Sequence, residues 1–317
     1  MARRDLALVG TAHVHTADHV RVAGEEGWRI AAVVDHDGDR RAFWAGRTGG
    51  AAHASMTTLD PGTLDAALVS GETAGREAAI MAALDAGLPV FTEKPLAPDG
   101  ATARRLTDHA ARCGQILHTG YFLRFDPGLN GLRDRLRDGA IGTVTAARMR
   151  FAHDGAYADW LDIDGWMTNP VEASYGGFAD EAVHCVDWLI WTLGPVARES
   201  AVLGSALGRA VDDHGAALLQ FDSGATAVVE AGWTDTRMRL ELDIVAEDGG
   251  ACLHDGRISL WRRGAVPHWQ GRMKPLDAGE GVRPFLHKVA GGCGDRLVPP
   301  DEAACVNAVM DRLYGRA

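Results

Sequence analysis

The first 120 residues alternate short apolar runs with helix-length segments, and this rhythm constrains the fold more than any other feature of the chain. The apolar runs lie at 6–9, 30–34, 66–69, 90–91 and 116–117, and helical patterns such as 75–86 and 102–112 separate them. Alternating strands and helices predict right-handed βαβ units, and hence a parallel sheet with helices on both faces. Ligands bind such sheets beyond the carboxyl ends of the strands. We therefore predict a Rossmann, doubly wound α/β domain over residues 1–122.

The pattern changes after Phe125-Asp126-Pro127 and indicates a second domain over residues 123–317. Helical patterns occur at 128–137 and 181–193, and a last helix follows Pro299-Pro300, where Asp301 can cap it. Strand-like runs joined by polar turns lie at 143–152, 201–206, 216–221, 225–231 and 240–246. Because short turns join antiparallel strands, we predict an α+β domain built on a mostly antiparallel open sheet.

Composition narrows the class of partner. The net charge of −11 comes without a basic stripe, which argues against nucleic acid and anionic membranes and favours small molecules. The five cysteines are odd in number and contain no C-x-x-C pair, so a disulfide framework or thiolate zinc site is not expected. The run after Met1 to Arg4 is too short for a signal peptide or membrane span. We predict a cytoplasmic protein.

A strand-turn-helix at the N-terminus has the position of a dinucleotide-binding loop. Such a loop carries glycine at its third and sixth positions, where the backbone approaches pyrophosphate and the helix packs on the strand. Here those positions hold Ala12 and His15. His15 either faces solvent or contacts a cofactor phosphate from the helix N-terminus. We assign the whole turn to cofactor binding: Gly10, Thr11, Ala12, His13, Val14 and His15.

Asp35 ends the second apolar run, where a carboxylate can accept the ribose hydroxyls and repel a 2′-phosphate. This position favours NAD over NADP, although Arg40 and Arg41 nearby keep NADP as an alternative. The competing interpretation is a surface aspartate that caps the following helix.

Three histidines in this first segment also raise a metal hypothesis. His13 and His15 form an H-x-H pair of the kind that opens zinc-hydrolase barrels, with His19 following. Such enzymes need further ligands at later strand ends, which here carry Asp35, Ser70 and the pair Glu93-Lys94. We predict no metal, and keep a metal-dependent hydrolase using His13 and His15 as the less favoured alternative.

The tripeptide Glu93-Lys94-Pro95 ends another apolar run. The chain has three lysines against 29 arginines, so a lysine at a strand's carboxyl end stands out. An ammonium can lose its proton when its pKa falls, whereas a guanidinium cannot. Pro95 pushes Lys94 into an extended conformation and permits a cis bond. We predict a catalytic Lys94, and an ordinary exposed lysine is the alternative.

Asp180, His184 and Asp187 lie at i, i+4 and i+7, so on a helix they share one face. A carboxylate beside a histidine can orient the ring and raise its basicity, as proton removal from an alcohol requires. An ordinary polar face is the alternative. The helix is unusually apolar, however, and buried polar groups need partners. We therefore predict that Asp180 and His184 are catalytic.

These elements, in this order, resemble the family of glucose-fructose oxidoreductase, inositol dehydrogenase and rhizopine-catabolism proteins (Gfo/Idh/MocA). The resemblance is carried by Glu93-Lys94-Pro95 and the Asp180/His184 pair, and it extends through 83–87, 120–127, 141–144, Trp166 and Gly176-Gly177. It implies an NAD(P)-binding Rossmann domain, then an open sheet whose outer face makes a dimer or tetramer contact. It also implies catalysis by Lys94, Asp180 and His184.

The combined interpretation is an oxidoreductase that transfers a hydride between NAD and a secondary hydroxyl of a sugar, polyol or sugar derivative. An aromatic and acidic segment precedes the catalytic helix and can stack on sugar C–H faces, or is simply a packed loop. We assign Ser70, Gly71, Glu93 and Lys94 to the cofactor, and Tyr121, Arg124, Tyr157, Trp160 and Trp166 to the substrate. The alternatives are a redox-neutral enzyme that retains NAD and a non-catalytic sugar or NAD sensor.

Overall fold

The computed structural model describes residues 4–292 and 296–316, so Cys293 of the five cysteines lies outside it. Within these ranges the chain forms two compact units. Of the described residues, the first unit holds 4–122, 171–174, 277–292 and 296–307, and the second holds 123–170, 175–276 and 308–316. The domain limits 1–122 and 123–317 stay a prediction.

A parallel sheet of six strands forms the first unit's centre, in the order β3-β2-β1-β4-β5-β6. Its strands are β1 (Arg4–Val9), β2 (Trp28–Val34), β3 (Ala51–His53), β4 (Ala66–Val69), β5 (Val90–Thr92) and β6 (Leu117–Thr119). This is the strand order of a dinucleotide-binding Rossmann sheet, with the order reversing beside β1. The predicted doubly wound fold is confirmed.

The second unit holds an eight-stranded sheet in the order β14-β13-β12-β11-β7-β10-β9-β8. Its strands are β7 (Val144–Ala152), β8 (Val196–Gly204), β9 (His214–Phe221), β10 (Thr226–Gly232), β11 (Arg239–Ala246), β12 (Gly249–His254), β13 (Arg257–Arg262) and β14 (Trp269–Arg272). Only the central pair of β7 and β10 is parallel among the pairings described, so the predicted mostly antiparallel sheet is also confirmed.

The helices are α1 (Thr16–Glu25), α2 (Gly38–Thr48), α3 (Arg76–Asp85), α4 (Gly100–Cys113), α5 (Pro127–Arg137), α6 (Pro170–Ala173), α7 (Gly177–Leu193), α8 (Arg283–Val289) and α9 (Pro300–Leu313). Local chemistry sets several ends. The Asp37 and Asp99 carboxylates cap α2 and α4, and Gly49 and Gly114 end these helices with left-handed backbone. In the described residues no helix has the length and apolar character needed to cross a membrane.

Alternate residues of β9 and β10 are buried and exposed, as expected for a sheet covered on one face. Helix α7 packs against β7, β9 and β10. The large apolar side chains left exposed on the strands include Val202, Leu218, Val228 and Val245.

Two local predictions need correction. Asp301 lies in the first turn of α9 and is not its cap, because the helix already begins at Pro300, whose missing N–H costs nothing at that position. Helix α7 begins at Gly177, four residues before the predicted start at Glu181. Strands β3, β12, β13 and β14 were not predicted, because they are short or follow Gly-rich turns.

Candidate functional site

The turn between β1 and α1 packs tightly against the end of β4. Gly10 adopts φ +66° and donates its N–H to Val34 O at 2.7 Å. A Cβ on Gly10 would lie 2.5 Å from Gly71 Cα, so the close approach requires glycine at position 10. His13 N donates to Ser70 O at 3.0 Å. The structure thus brings together the predicted cofactor residues of the turn and of β4.

Helix α1 starts at this turn without a side-chain cap, because His15 at its N-cap makes no capping hydrogen bond. First-turn N–H groups are a ready anion site when no side chain takes them. Ala12 is partly buried and Val14 is exposed. The backbone here therefore fits a pyrophosphate.

Asp35 at the end of β2 is buried and accepts several hydrogen bonds. Thr11 donates to its Oδ2 from N at 2.8 Å and from Oγ1 at 2.6 Å, and Asp37 N donates to its Oδ1 at 2.9 Å. Burial raises the pKa of the Asp35 carboxyl, but the hydrogen bonds from Arg40, Thr11 and Asp37 outweigh it and leave the pKa below its usual value. Asp35 is therefore ionised at neutral pH.

Arg40 lies over this carboxylate. Its Nε and Nη2 are 3.2 and 3.1 Å from the two Asp35 oxygens, and Nη2 also donates to Glu72 Oε1 at 2.6 Å. The Arg40 side chain keeps 30% of its exposure. Glu72 follows Gly71, and the sequence did not indicate it as a site residue. Glu72 and Asp35 share the Arg40 guanidinium.

Glu93 after β5 is surrounded by the three N-terminal histidines. Its Oε1 lies 2.8 Å from His19 Nε2 and 3.2 Å from His15 Nδ1, and its Oε2 lies 3.7 Å from His13 Nε2. Glu93, His13 and His19 are buried, and the His15 side chain is 24% exposed. Burial raises the Glu93 pKa, but the histidines hold it well below its ordinary value. Burial holds the His13 pKa well below 6.5.

Three groups of side chains among the described residues have the spacing of metal ligands: His13/His15/Glu93, Asp85/His109/Cys113 and His153/Asp180/Glu181. In each, one histidine Nδ1 lies within hydrogen-bond distance of an N–H donor: His15 N at 3.3 Å, Arg112 Nη2 at 3.1 Å and Gly155 N at 3.0 Å, respectively. A neutral imidazole that accepts at Nδ1 carries its proton on Nε2 and offers no lone pair there. These contacts favour carboxylate-histidine networks over metal ions.

Lys94 lies at the carboxyl end of β5 and is 1% exposed. The Lys94-Pro95 peptide bond is cis, and Lys94 N donates to Glu93 Oε2 at 2.9 Å. The positive charge of Lys94 is one of the influences that lower the His13 pKa, after burial. Lys94 therefore belongs to the same cluster as the turn and Glu93.

In the second unit, α7 carries Asp180 in its first turn and His184 one turn later. Trp233 Nε1 donates to Asp180 Oδ2 at 2.8 Å. His184 is buried, with its ring centroid 5.6 Å from that of Phe151. The predicted i, i+4 pair therefore lies on a buried stretch of helix, and Trp233 is a polar partner that the sequence did not indicate.

The start of α7 is capped by residues distant in sequence. Phe178 N donates to Asp212 Oδ2 at 2.8 Å, and Tyr314 Oη donates to the same oxygen at 3.1 Å. A Cβ on Gly176 would lie 2.3 Å from Asp212 Oδ1, so the glycine makes room for this external cap. Burial raises the Asp212 pKa. The only signal in the sequence was Gly176-Gly177 before a helix that lacks a Ser or Asp cap.

The predicted substrate residues have different surroundings. Arg124 is buried and pairs through both Nε and Nη2 with Asp187, at 2.7 and 2.6 Å. Tyr121 is fully buried, Trp166 is partly buried, and Tyr157 and Trp160 are exposed, with Trp160 4.5 Å from the His153 ring. His153 Nε2 contacts Glu181 Oε1 at 3.1 Å. The substrate roles of these five residues stay predictions.

Two family models match the chain. One is described as an oxidoreductase family with an NAD-binding Rossmann fold and matches residues 4–121, and the other is the GFO/IDH/MocA C-terminal domain, matching residues 130–252. Together they cover most of both sheets.

Similar proteins include inositol 2-dehydrogenase of Streptomyces avermitilis, 35% identical over 43% of this chain and 41% of that protein. Inositol 2-dehydrogenase of Acidothermus cellulolyticus is 30% identical over 66% of this chain and 61% of that protein. The matches thus span less than two thirds of these relatives. Myo-inositol dehydrogenase Hyg17 of Streptomyces leeuwenhoekii is 28% identical over 76% of this chain and 75% of that protein.

Among solved structures, an inositol dehydrogenase homolog of Azotobacter vinelandii complexed with NAD+ has a TM-score of 0.86 at 16% identity, covering 99% of this chain and 95% of that one. Levoglucosan dehydrogenase with NADH and L-sorbose has a TM-score of 0.81 at 18% identity, covering 100% and 97%. At these identities the likeness establishes the fold.

Proposed function

Because the chain belongs to the GFO/IDH/MocA oxidoreductase family, we propose that it is an enzyme that transfers a hydride between NAD and a secondary hydroxyl of a sugar, polyol or sugar derivative. One observation carries the proposal: Lys94 is buried at the carboxyl end of β5, in the cluster formed with the Gly10 to His15 turn. Ligands bind Rossmann sheets at this edge.

The residues of the first unit fit NAD. The turn leaves no room for a Cβ at Gly10, and the uncapped N-terminus of α1 suits a pyrophosphate. Asp35 suits the ribose hydroxyls, and Ser70, Glu93 and Lys94 complete the cofactor edge. NAD, when bound, accepts or returns the hydride. Side chains of the protein perform the proton transfer and position the substrate.

His184 takes the proton of the substrate hydroxyl, because histidine is the side chain that most often acts as a general base in such a transfer. Lys94 donates a hydrogen bond to the same oxygen and stabilises the alkoxide charge that develops on it. Asp180 positions the ring and the alcohol, and its bond from Trp233 limits the directions its carboxylate can face.

The proposed substrate class rests on the aromatic segment and on the relatives. Tyr157, Trp160 and Trp166 suit the C–H faces of a sugar ring, while Tyr121 and Arg124 complete the assigned set. The names of the relatives, inositol dehydrogenases among them, support a cyclic polyol. The 1,5-anhydro-D-fructose reductase of Ensifer adhaerens, 29% identical over 68% of this chain, supports the wider sugar class.

We further propose that residues 1–122 and 123–317 are the cofactor and substrate domains, and that the protein is a cytoplasmic homodimer or homotetramer. The exposed apolar side chains Val202, Leu218, Val228 and Val245 support assembly through the eight-stranded sheet. A depression of about 420 Å³ between β7, β8, β9 and β10 would receive partner side chains. Leu218→Glu should convert the assembly to monomers in analytical ultracentrifugation.

The deciding experiment is a cofactor titration followed by a panel of cyclic polyols, neutral sugars and sugar derivatives. We expect NAD binding and growth of NADH absorbance with at least one compound. NAD retained through purification, with product formed and no net NADH, would assign the redox-neutral alternative. Chelator-sensitive hydrolysis with stoichiometric zinc would overturn the proposal.

A further inference from the structure

Arg76 is one of the largest fully buried side chains in the described part of the chain. It begins α3 and is 1% exposed. Its Nε donates to Gly71 O at 3.1 Å and its Nη2 donates to Thr73 Oγ1 at 2.7 Å. The guanidinium therefore ties the start of α3 to the glycine that contacts the cofactor turn.

The same guanidinium holds the chain on both sides of Lys94. Its Nη1 donates to Glu93 O and, at 2.7 Å, to Pro95 O. Strand β5 ends at Thr92, and Glu93 N makes the last ladder bond, to Val69 O at 3.0 Å. Beyond that point Arg76 supplies hydrogen bonds to the buried carbonyls that flank the lysine.

We propose that Arg76 is a positioning residue for Lys94: by binding the carbonyls before and after Lys94, its guanidinium sets the direction in which the ammonium leaves the strand. The inference rests on the proposed function, in which Lys94 contacts the reacting oxygen. A guanidinium suits the task because it is planar, always charged and presents several donors in a rigid fork. A lysine at position 76 would hold the same charge without the fork.

Kinetics separates positioning from general support. In Arg76→Gln we expect kcat to fall about 10²-fold, as a displacement near 1 Å can cause, while Kd for NAD stays within about threefold. Arg133→Gln is the matched control. Arg133 is a second buried arginine, on α5, and donates from Nε and Nη2 to Trp191 O. The Arg133→Gln variant should have a lower free energy of unfolding and an unchanged kcat.

Lysine NMR provides a readout that does not depend on activity. With only three lysines, a protein labelled at lysine 13Cε gives three signals, and Lys94→Gln identifies that of Lys94. We expect the Lys94 signal to stand apart from those of Lys274 and Lys288 in the unsubstituted protein. In Arg76→Gln it should move towards them, whereas in Arg133→Gln it should not move.

An Arg76→Gln variant with an unchanged Lys94 signal and a kcat within about twofold of the original would overturn the proposal. If the Arg76→Gln variant does not fold, the Thr73→Val variant provides the test of the proposal. It removes one acceptor of the guanidinium and should shift the Lys94 signal by a smaller amount, and an unshifted signal would count against the inference. Full turnover in Lys94→Gln would instead refute the proposed function. The Lys94 NMR signal in the Arg76→Gln variant would still test whether Arg76 positions Lys94.

Discussion

Trp233 donates its indole N–H to Asp180 Oδ2 at 2.8 Å, so a residue just after β10 holds the carboxylate in the first turn of α7. The ring of Trp233 is buried, and a Cβ on Gly177 would lie 2.7 Å from it. The indole therefore packs against the start of the helix and also orients its first carboxylate. Asp180 is consequently less free to rotate than an ordinary first-turn acid.

Trp233→Phe should lower kcat about tenfold, because it removes the N–H and retains most of the ring, and a hydrogen bond to a charged group contributes about 1.5–3 kcal/mol. Trp188→Phe, on the helix α7 that carries Asp180, is the control: Trp188 is fully buried, and its Nε1 has no hydrogen-bond partner in the described part of the chain. Steady-state kinetics of both variants checks this. Equal losses of kcat would assign the effect to packing.

Lys94→Ala and His184→Ala should each lower turnover by about 10² to 10⁴, the range of acid-base participation. The double variant should be scarcely worse than the poorer single one, because either change disables the same proton transfer. Lys94→Arg retains the charge and not the compact ammonium, and should remain poorly active. Full activity of the His184→Ala variant on a confirmed substrate would refute the assignment of the proton transfer to helix α7.

Substitution of Glu72 should change the relative affinity of the protein for NAD and NADP. The unsubstituted protein should bind NAD more tightly than NADP, because Asp35 is ionised. Glu72→Gln removes one of the two carboxylates that engage Arg40, so we expect NADP affinity to rise about tenfold, or 1.4 kcal/mol, with NAD affinity little changed. Calorimetry measures the affinity of each variant for NAD and for NADP. Asp39→Asn, an exposed acid on α2, should leave the ratio unaltered. No gain in NADP binding would mean that Arg40 does not face the 2′ position.

Stability should fall below pH 6.5 through His13. Its folded pKa is lowered by burial, so between that pKa and 6.5 the unfolded chain binds a proton that the folded protein does not. The free energy of unfolding therefore decreases as pH falls, by up to about 1.4 kcal/mol per pH unit from this group. Glu93, whose pKa is also lowered, adds to the loss only below about pH 4.5.

Urea unfolding at pH 7.5 and 5.5 tests this. His13→Gln should reduce the difference between the two pH values, whereas His36→Gln, at a histidine whose side chain is 74% exposed, should not. An identical pH dependence in His13→Gln and the unsubstituted protein would show that His13 is protonated with equal ease in both states.

Much of the fold was predictable because its signals are local. Strands β1, β2, β4 and β5 follow from short apolar runs, and the face shared by Asp180 and His184 follows from a helical repeat of 3.6 residues. The doubly wound parallel sheet follows from the alternation of strands and helices, and the hand of its crossovers follows from the handedness of βαβ units. Lys94 stood out because lysine is rare in this chain and ends a strand.

The sequence by itself determined which residues form the strands, the turn and the helix that carry the candidate site. Only the tertiary structure decided their partners, because each contact joins positions far apart in the chain. Glu93 meets His15 across 78 residues, Arg40 meets Glu72 across 32, and Asp212 caps α7 from 34 residues beyond Phe178. No periodic pattern specifies such pairs. They follow from the strand order and from the need of buried polar groups for hydrogen-bond partners. The buried guanidinium of Arg76 beside Lys94 is of this kind.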